Sequence, residues 1–154
     1  IHDIDFEVLK NRGIQVILLD VDNTIVPFKN PLPDQEILNW INMGKEEGFQ
    51  FCLVSNAYPR RVEGIGLNLD IPFVFMAKKP LSSGVIKSLR IMNCHSREAV
   101  MVGDQIFTDV LAAKLAGVST ILVDPLTQSD FFMTKIYRVL EYFVKRNLIR
   151  RKME

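Results

Sequence analysis

Runs of Val, Ile, Leu and Phe recur along the chain, separated by stretches in which apolar residues return every three or four positions. The runs predict strands near 14–20, 49–54, 73–76, 99–103 and 119–123. Helices are expected near 3–11, 34–47, 59–67, 82–92, 108–116 and 130–148. The strand segments are almost unbroken apolar rather than alternating, which is the pattern of parallel strands covered on both faces. Local signals agree: Asp34 suits a helix cap, Gly48 a helix end, Pro59 a first turn and Gly117 the exit from a helix. The expected architecture is a doubly wound, Rossmann-like α/β fold with a parallel sheet of five strands.

Composition narrows this further. With 154 residues, 48% of them apolar, the chain is expected to form a single domain over 1–154 with one substantial core. No run of about 18 apolar residues exists, and the opening "IHDIDFEVLK" lacks the features of a signal peptide, so a cytoplasmic protein is expected. The first residue is Ile rather than Met, so a few upstream residues are expected to precede it. Cys52 and Cys94 show no metal-ligand spacing and read as ordinary core or surface thiols. A net charge of +1 argues against a dedicated nucleic-acid binder. The charge is uneven, however: residues 135–154 carry +5 and the remainder −4.

In open α/β sheets ligands bind beyond the carboxyl ends of the strands, so the polar residues that follow each apolar run deserve inspection. Four ends carry a signal: "LLDVDNT", "LVSNA", "FMAKKP" and "MVGDQIFTD". Asp20 and Asp22 are one residue apart, which in extended chain points both side chains the same way. Their repulsion would be relieved by a divalent cation or by a division of roles, because interacting carboxylates drive their pKa values apart. That division suits a nucleophile, Asp20, attacking phosphorus, and an acid/base, Asp22, serving the leaving oxygen and then a water. A plain turn with a capping Asp is the equal alternative for this stretch. Asp104 follows Gly103, where the backbone can approach closely and a carboxylate can complete an oxygen-rich Mg²⁺ site. "KKP" offers a cation, and Ser55 and Asn56 offer hydrogen bonds to phosphate. Singly these have bland alternatives as helix caps and solvated charge, Asp109 being readable as a first-turn carboxylate; four in this order are hard to obtain by chance.

With those motifs in place, the chain resembles the haloacid dehalogenase (HAD) superfamily of phosphohydrolases, through "DVDNT" (Asp20 to Thr24), "VSN" (Val54 to Asn56), "KKP" (Lys78 to Pro80) and "GDQIFTD" (Gly103 to Asp109). The wording looks most like the YqeG-type branch of subclass IIIA, which includes phosphatidylglycerophosphate phosphatases. The resemblance implies Asp20 as nucleophile and Mg²⁺ ligand, Asp22 as acid/base and a ligand through its carbonyl, and Asp104 as a further ligand. It implies Ser55 and Asn56 at the phosphate and Lys79 as the motif lysine, with Lys78 the fallback.

The gaps between motifs leave no room for a cap domain, so an open site is expected, suited to a bulky phosphorylated substrate such as a phospholipid headgroup. In the tail, Phe132, Ile136, Val139, Leu140 and Phe143 fall on one side of a helix, with Lys135, Arg138, Glu141 and Lys145 largely opposite. Such a basic amphipathic helix packs on its own domain or, less commonly, touches an anionic membrane. Three functions follow: a Mg²⁺-dependent phosphatase of a lipid such as phosphatidylglycerophosphate, a phosphatase of soluble sugar phosphates or nucleotides, and a catalytically weak phospho-binding module. A receiver-like module fits poorly, since the third apolar run, "FVFM", ends without an aspartate.

Overall fold

The computed structural model describes residues 1–28 and 30–127. The expected helix over 130–148 lies outside them. The sheet contains β1 (Val16–Leu19), β2 (Gln50–Val54), β3 (Phe73–Val74), β4 (Ala99–Gly103) and β5 (Ser119–Leu122), all parallel, in the order β3-β2-β1-β4-β5. The helices are α1 (Phe6–Asn11), α2 (Gln35–Glu46), α3 (Pro59–Leu69), α4 (Ser83–Ile91) and α5 (Leu111–Leu115).

Alternation along the strands feeds two cores. Ile17, Leu19, Phe51, Leu53, Val100 and Val102 face one side, where Phe6, Trp40, Ile41, Val62 and Ile65 of the first three helices pack. Val16, Leu18, Cys52, Val54 and Met101 face the other, against Val85 of α4 and Ala112 and Ala113 of α5. The chain winds outward from β1 through β2 to β3, then returns to place β4 on the opposite side of β1. That reversal moves the crossover helices to the other face and opens a switch point between the carboxyl ends of β1 and β4.

Boundaries differ from the sequence pattern for local reasons. The first helix starts at Phe6 because Asp5 caps it, its Oδ1 accepting from the amides of Glu7 (2.8 Å) and Val8 (3.2 Å). The third strand stops after Val74, and the chain soon turns through Met76 at φ 46°. The expected 108–116 helix begins as a wide π turn, Ile106–Val110, before α5. Asp34 caps α2 as expected, accepting from Ile37 N at 3.0 Å. Between β1 and β2 the chain supplies only a loop and α2, and between β2 and β3 only α3, so no cap covers the strand ends from these connections.

Candidate active site

Asp20 stands at the end of β1, its amide donating to Val102 O of β4 at 2.9 Å, so it sits at the switch point itself. Beyond it the chain makes a tight turn. Val21 O accepts from the amides of Thr24, Ile25 and Val26, and Asn23 takes φ 63°. Asparagine tolerates this left-handed conformation better than most residues.

Lys79 reaches this point from the loop after β3. Its Nζ, fully enclosed, donates to Asp20 Oδ1 at 2.6 Å and to Asp109 Oδ1 at 2.6 Å. Burial alone would lower the lysine's pKa, but the two carboxylates outweigh it and raise it, so Lys79 is held as the ammonium. The backbone of Lys79 is fixed by Asn56, whose Oδ1 accepts from Lys79 N and whose Nδ2 donates to Lys79 O, each at 2.8 Å. Lys78, at φ 59°, is exposed.

Asp109 is buried and comes from the π turn, accepting from Gln105 N at 3.1 Å. The close approach needs Gly103, since a Cβ there would run into the Asp109 carboxylate. Asp104 accepts from Thr24 Oγ1 at 3.3 Å. Burial and then the charge of Asp20 push Asp104 up to about 6 and Asp109 up to about 7. Oxygens of Asp20, Asp104 and Asp109 all lie within 4.8 Å of one another. With all three carboxylates ionised, the one ammonium that touches them among the described residues, Lys79, leaves an excess of two negative charges. A hard, oxygen-only donor set with that excess fits a divalent cation such as Mg²⁺.

Asp22 is neutralised separately. Its Oδ1 accepts from Arg61 Nε at 2.8 Å and lies 2.7 Å from Nη2. Arg61 also donates through Nη1 to Asn30 O at 2.8 Å, tying α3 to the loop beyond the turn. Burial raises the pKa of Asp22 while Arg61 opposes it, and the net direction is upward. Ser55 is buried beside the site, its Oγ accepting from Ala57 N at 3.1 Å.

Of the residues singled out in the sequence, Asp20, Asp104 and Lys79 therefore converge, and Asp109 joins them. The Asp22 side chain stands outside the carboxylate cluster and faces Arg61. Asn56 is engaged with the backbone of Lys79. The sequence reading did not pick out Arg61; its one signal is its place shortly after "VSN", at the start of a helix that opens on the strand ends.

Residues 77–125, which carry the lysine and the "GDQIFTD" loop, match a family profile described as HAD-hydrolase-like. Probable phosphatase YqeG of Bacillus subtilis is 37% identical over 135 residues, covering 88% of this chain and 78% of the relative. The chain belongs to the HAD phosphatases, in the YqeG-type branch. A chloroplastic phosphatidylglycerophosphate phosphatase 1 of Chlamydomonas reinhardtii is 30% identical over 159 residues; the match covers 95% of this chain and 58% of the algal protein. The fold of this HAD phosphatase is shared with CbbY from Rhodobacter sphaeroides in complex with phosphate, at TM-score 0.61 and 15% identity, over 76% of this chain and 89% of that one. As a member of this group the chain is a phosphoric monoester hydrolase acting on a phosphorylated substrate.

Proposed function

We propose that the chain is a Mg²⁺-dependent phosphomonoesterase that works through an aspartyl-phosphate on Asp20, with phosphatidylglycerophosphate as its substrate. The observation that carries the chemistry is the single ammonium of Lys79 set among Asp20, Asp104 and Asp109. An excess of negative charge would repel a phosphate dianion, so the site works only once a cation has been added. Asp20, Asp104 and the carbonyl of Asp22 would hold Mg²⁺, with Asp109 close by. The ion would offset the carboxylate charge and polarise the phosphoryl oxygens.

In this reading a carboxylate oxygen of Asp20 forms a bond to phosphorus while the ester P–O bond breaks. Asp22 gives a proton to the departing alkoxide, for which its raised pKa suits it. Asp22 then takes a proton from a water that attacks phosphorus, and phosphate leaves with Asp20 restored. Arg61 holds the Asp22 carboxylate in one orientation throughout. Lys79 and Ser55 contact the phosphoryl oxygens, and Asn56 serves them by fixing the lysine backbone.

The substrate reading is supported by the likeness to the algal lipid phosphatase and by the uncapped strand ends, which admit a headgroup still attached to its lipid. Metal-stripped protein should be inactive and should recover with Mg²⁺. In detergent micelles, phosphatidylglycerophosphate should be turned over with a kcat/KM at least about tenfold above a panel of sugar phosphates and nucleotides, a gap worth about 1.4 kcal/mol of differential transition-state binding. Turnover of nucleotides alone would end the lipid assignment.

A further inference from the structure

Six large apolar side chains stand in solvent around the candidate site: Tyr58 (77% exposed), Met76 (50%), Leu81 (60%), Ile106 (54%), Phe107 (44%) and Leu126 (41%). Each follows a strand end: Tyr58 after β2, Met76 and Leu81 after β3, Ile106 and Phe107 after β4, Leu126 after β5. The loops are tied to one another and to the "DVDNT" turn, with Met76 N donating to Ala57 O at 3.0 Å and Leu126 N to Asn23 O at 2.8 Å. Single exposed apolar residues are ordinary, and Leu67 and Leu115 on helix flanks are such cases. A set drawn from four successive strand ends around one site is a different feature, of the kind that marks an interaction surface.

We propose that this face docks on an anionic lipid bilayer, with the six side chains entering the interfacial layer and the catalytic carboxylates opening onto the headgroups. Whatever covers the ring must also present a phosphate ester at its centre. A phospholipid surface does both, whereas a small soluble ester would leave the ring wet. Charge agrees with that occupant. Lys78, on the loop after β3, and Arg60, in the first turn of α3 beside Tyr58, are exposed. The described residues end at this face, where Thr127 Oγ1 donates to Asn23 Oδ1 at 2.7 Å, and the sequence that follows is basic, with seven Lys and Arg against three Asp and Glu. Apolar insertion combined with basic charge is what gives stable peripheral binding, neither alone being sufficient. The inference takes from the phosphatase reading only the position of the phosphate.

The test is flotation of the full chain with vesicles of mixed phosphatidylglycerol and phosphatidylcholine, without substrate. Replacing three rim residues together, Tyr58→Ser, Leu81→Ser and Leu126→Ser, with the tail intact, should lower the bound fraction at least about tenfold. Hydrolysis of a soluble aryl phosphate should stay within about twofold, since none of the three belongs to the catalytic set. A second variant, Leu81→Trp, keeps the rim apolar. Its fluorescence should shift to the blue on adding vesicles and be quenched by brominated lipid, and this readout decides the matter if the triple variant fails to fold. Equal flotation before and after the triple change would overturn the proposal and assign binding to the tail. Absence of flotation by the unaltered chain, or an unshifted indole at position 81, would overturn it too and leave the ring to a protein partner. Neither readout needs turnover, so an enzyme that bound vesicles yet hydrolysed no lipid phosphate would refute the lipid substrate and leave the docking surface standing.

Discussion

Lys79 is the residue on which the site's charge balance turns. It is the cation that Asp20 and Asp109 share, and removing one member of a buried ion pair strands the others. Lys79→Met should therefore destabilise the metal-free chain by about 3–5 kcal/mol in denaturant melts and abolish turnover. Mg²⁺ should restore part of the stability without restoring activity. The carboxylates also set a pH dependence. Asp104 and Asp109 are raised to about 6 and about 7 from an ordinary 3.8, so across roughly pH 4 to 7 the folded chain binds protons more tightly than the unfolded one. Stability of the metal-free chain should then fall as pH rises through that window. In EDTA the melting temperature should be higher at pH 5 than at pH 8, and the reverse order would refute the raised carboxylates.

At the scale of elements, the link from α3 to the loop before α2 matters most. Arg61 grips Asp22 through two nitrogens and Asn30 O through a third, so it fixes the carboxylate proposed as the acid and braces the loop together. Arg61→Ala should lower kcat for an alkyl phosphate about tenfold to a hundredfold, within the usual contribution of a general acid. An aryl phosphate, whose leaving group needs little protonation, should be affected much less, and Arg61→Lys should not rescue the loss because an ammonium cannot reproduce the planar fork. Equal losses on both substrates would reduce Arg61 to a structural tie. Gly103→Ala should cost about 1–3 kcal/mol by forcing the π turn away from β4. The strands could be read from sequence because a doubly covered strand is an unbroken apolar run, as at Val16–Leu19. Asp20, Asp104 and their neighbours were legible for the same reason, being the polar residues that end such runs. Arg60 and Arg61 are chemically equal in the sequence, and only the facing of the first turn of α3 distinguishes them. The choice between Lys78 and Lys79 likewise depends on backbone angles, Lys78 turning through positive φ so that its neighbour points inward. Asp109 looked like a helix-start carboxylate because nothing local reveals that a π turn carries it under Gly103 to the lysine.

For the whole molecule, the winding of the sheet places the chemistry. The reversal of strand order beside β1 puts Asp20 and Asp104 on neighbouring ends, while the connections that follow β2 and β3, both on the other side of β1 from β4, bring in Arg61 and Lys79. Among the described residues no helix is long and apolar enough to cross a membrane. The central claim is that Asp20 carries the phosphoryl group between the two half-reactions. It is tested most directly by acid-quenching the enzyme during turnover of a ³²P-labelled phosphate ester and mapping the label to peptides. The label should appear on the tryptic peptide spanning residues 13–29, be released by hydroxylamine as an acyl phosphate is, and be absent from Asp20→Asn. Continued turnover by a folded Asp20→Asn chain, with no label on that peptide in the unaltered enzyme, would contradict the account.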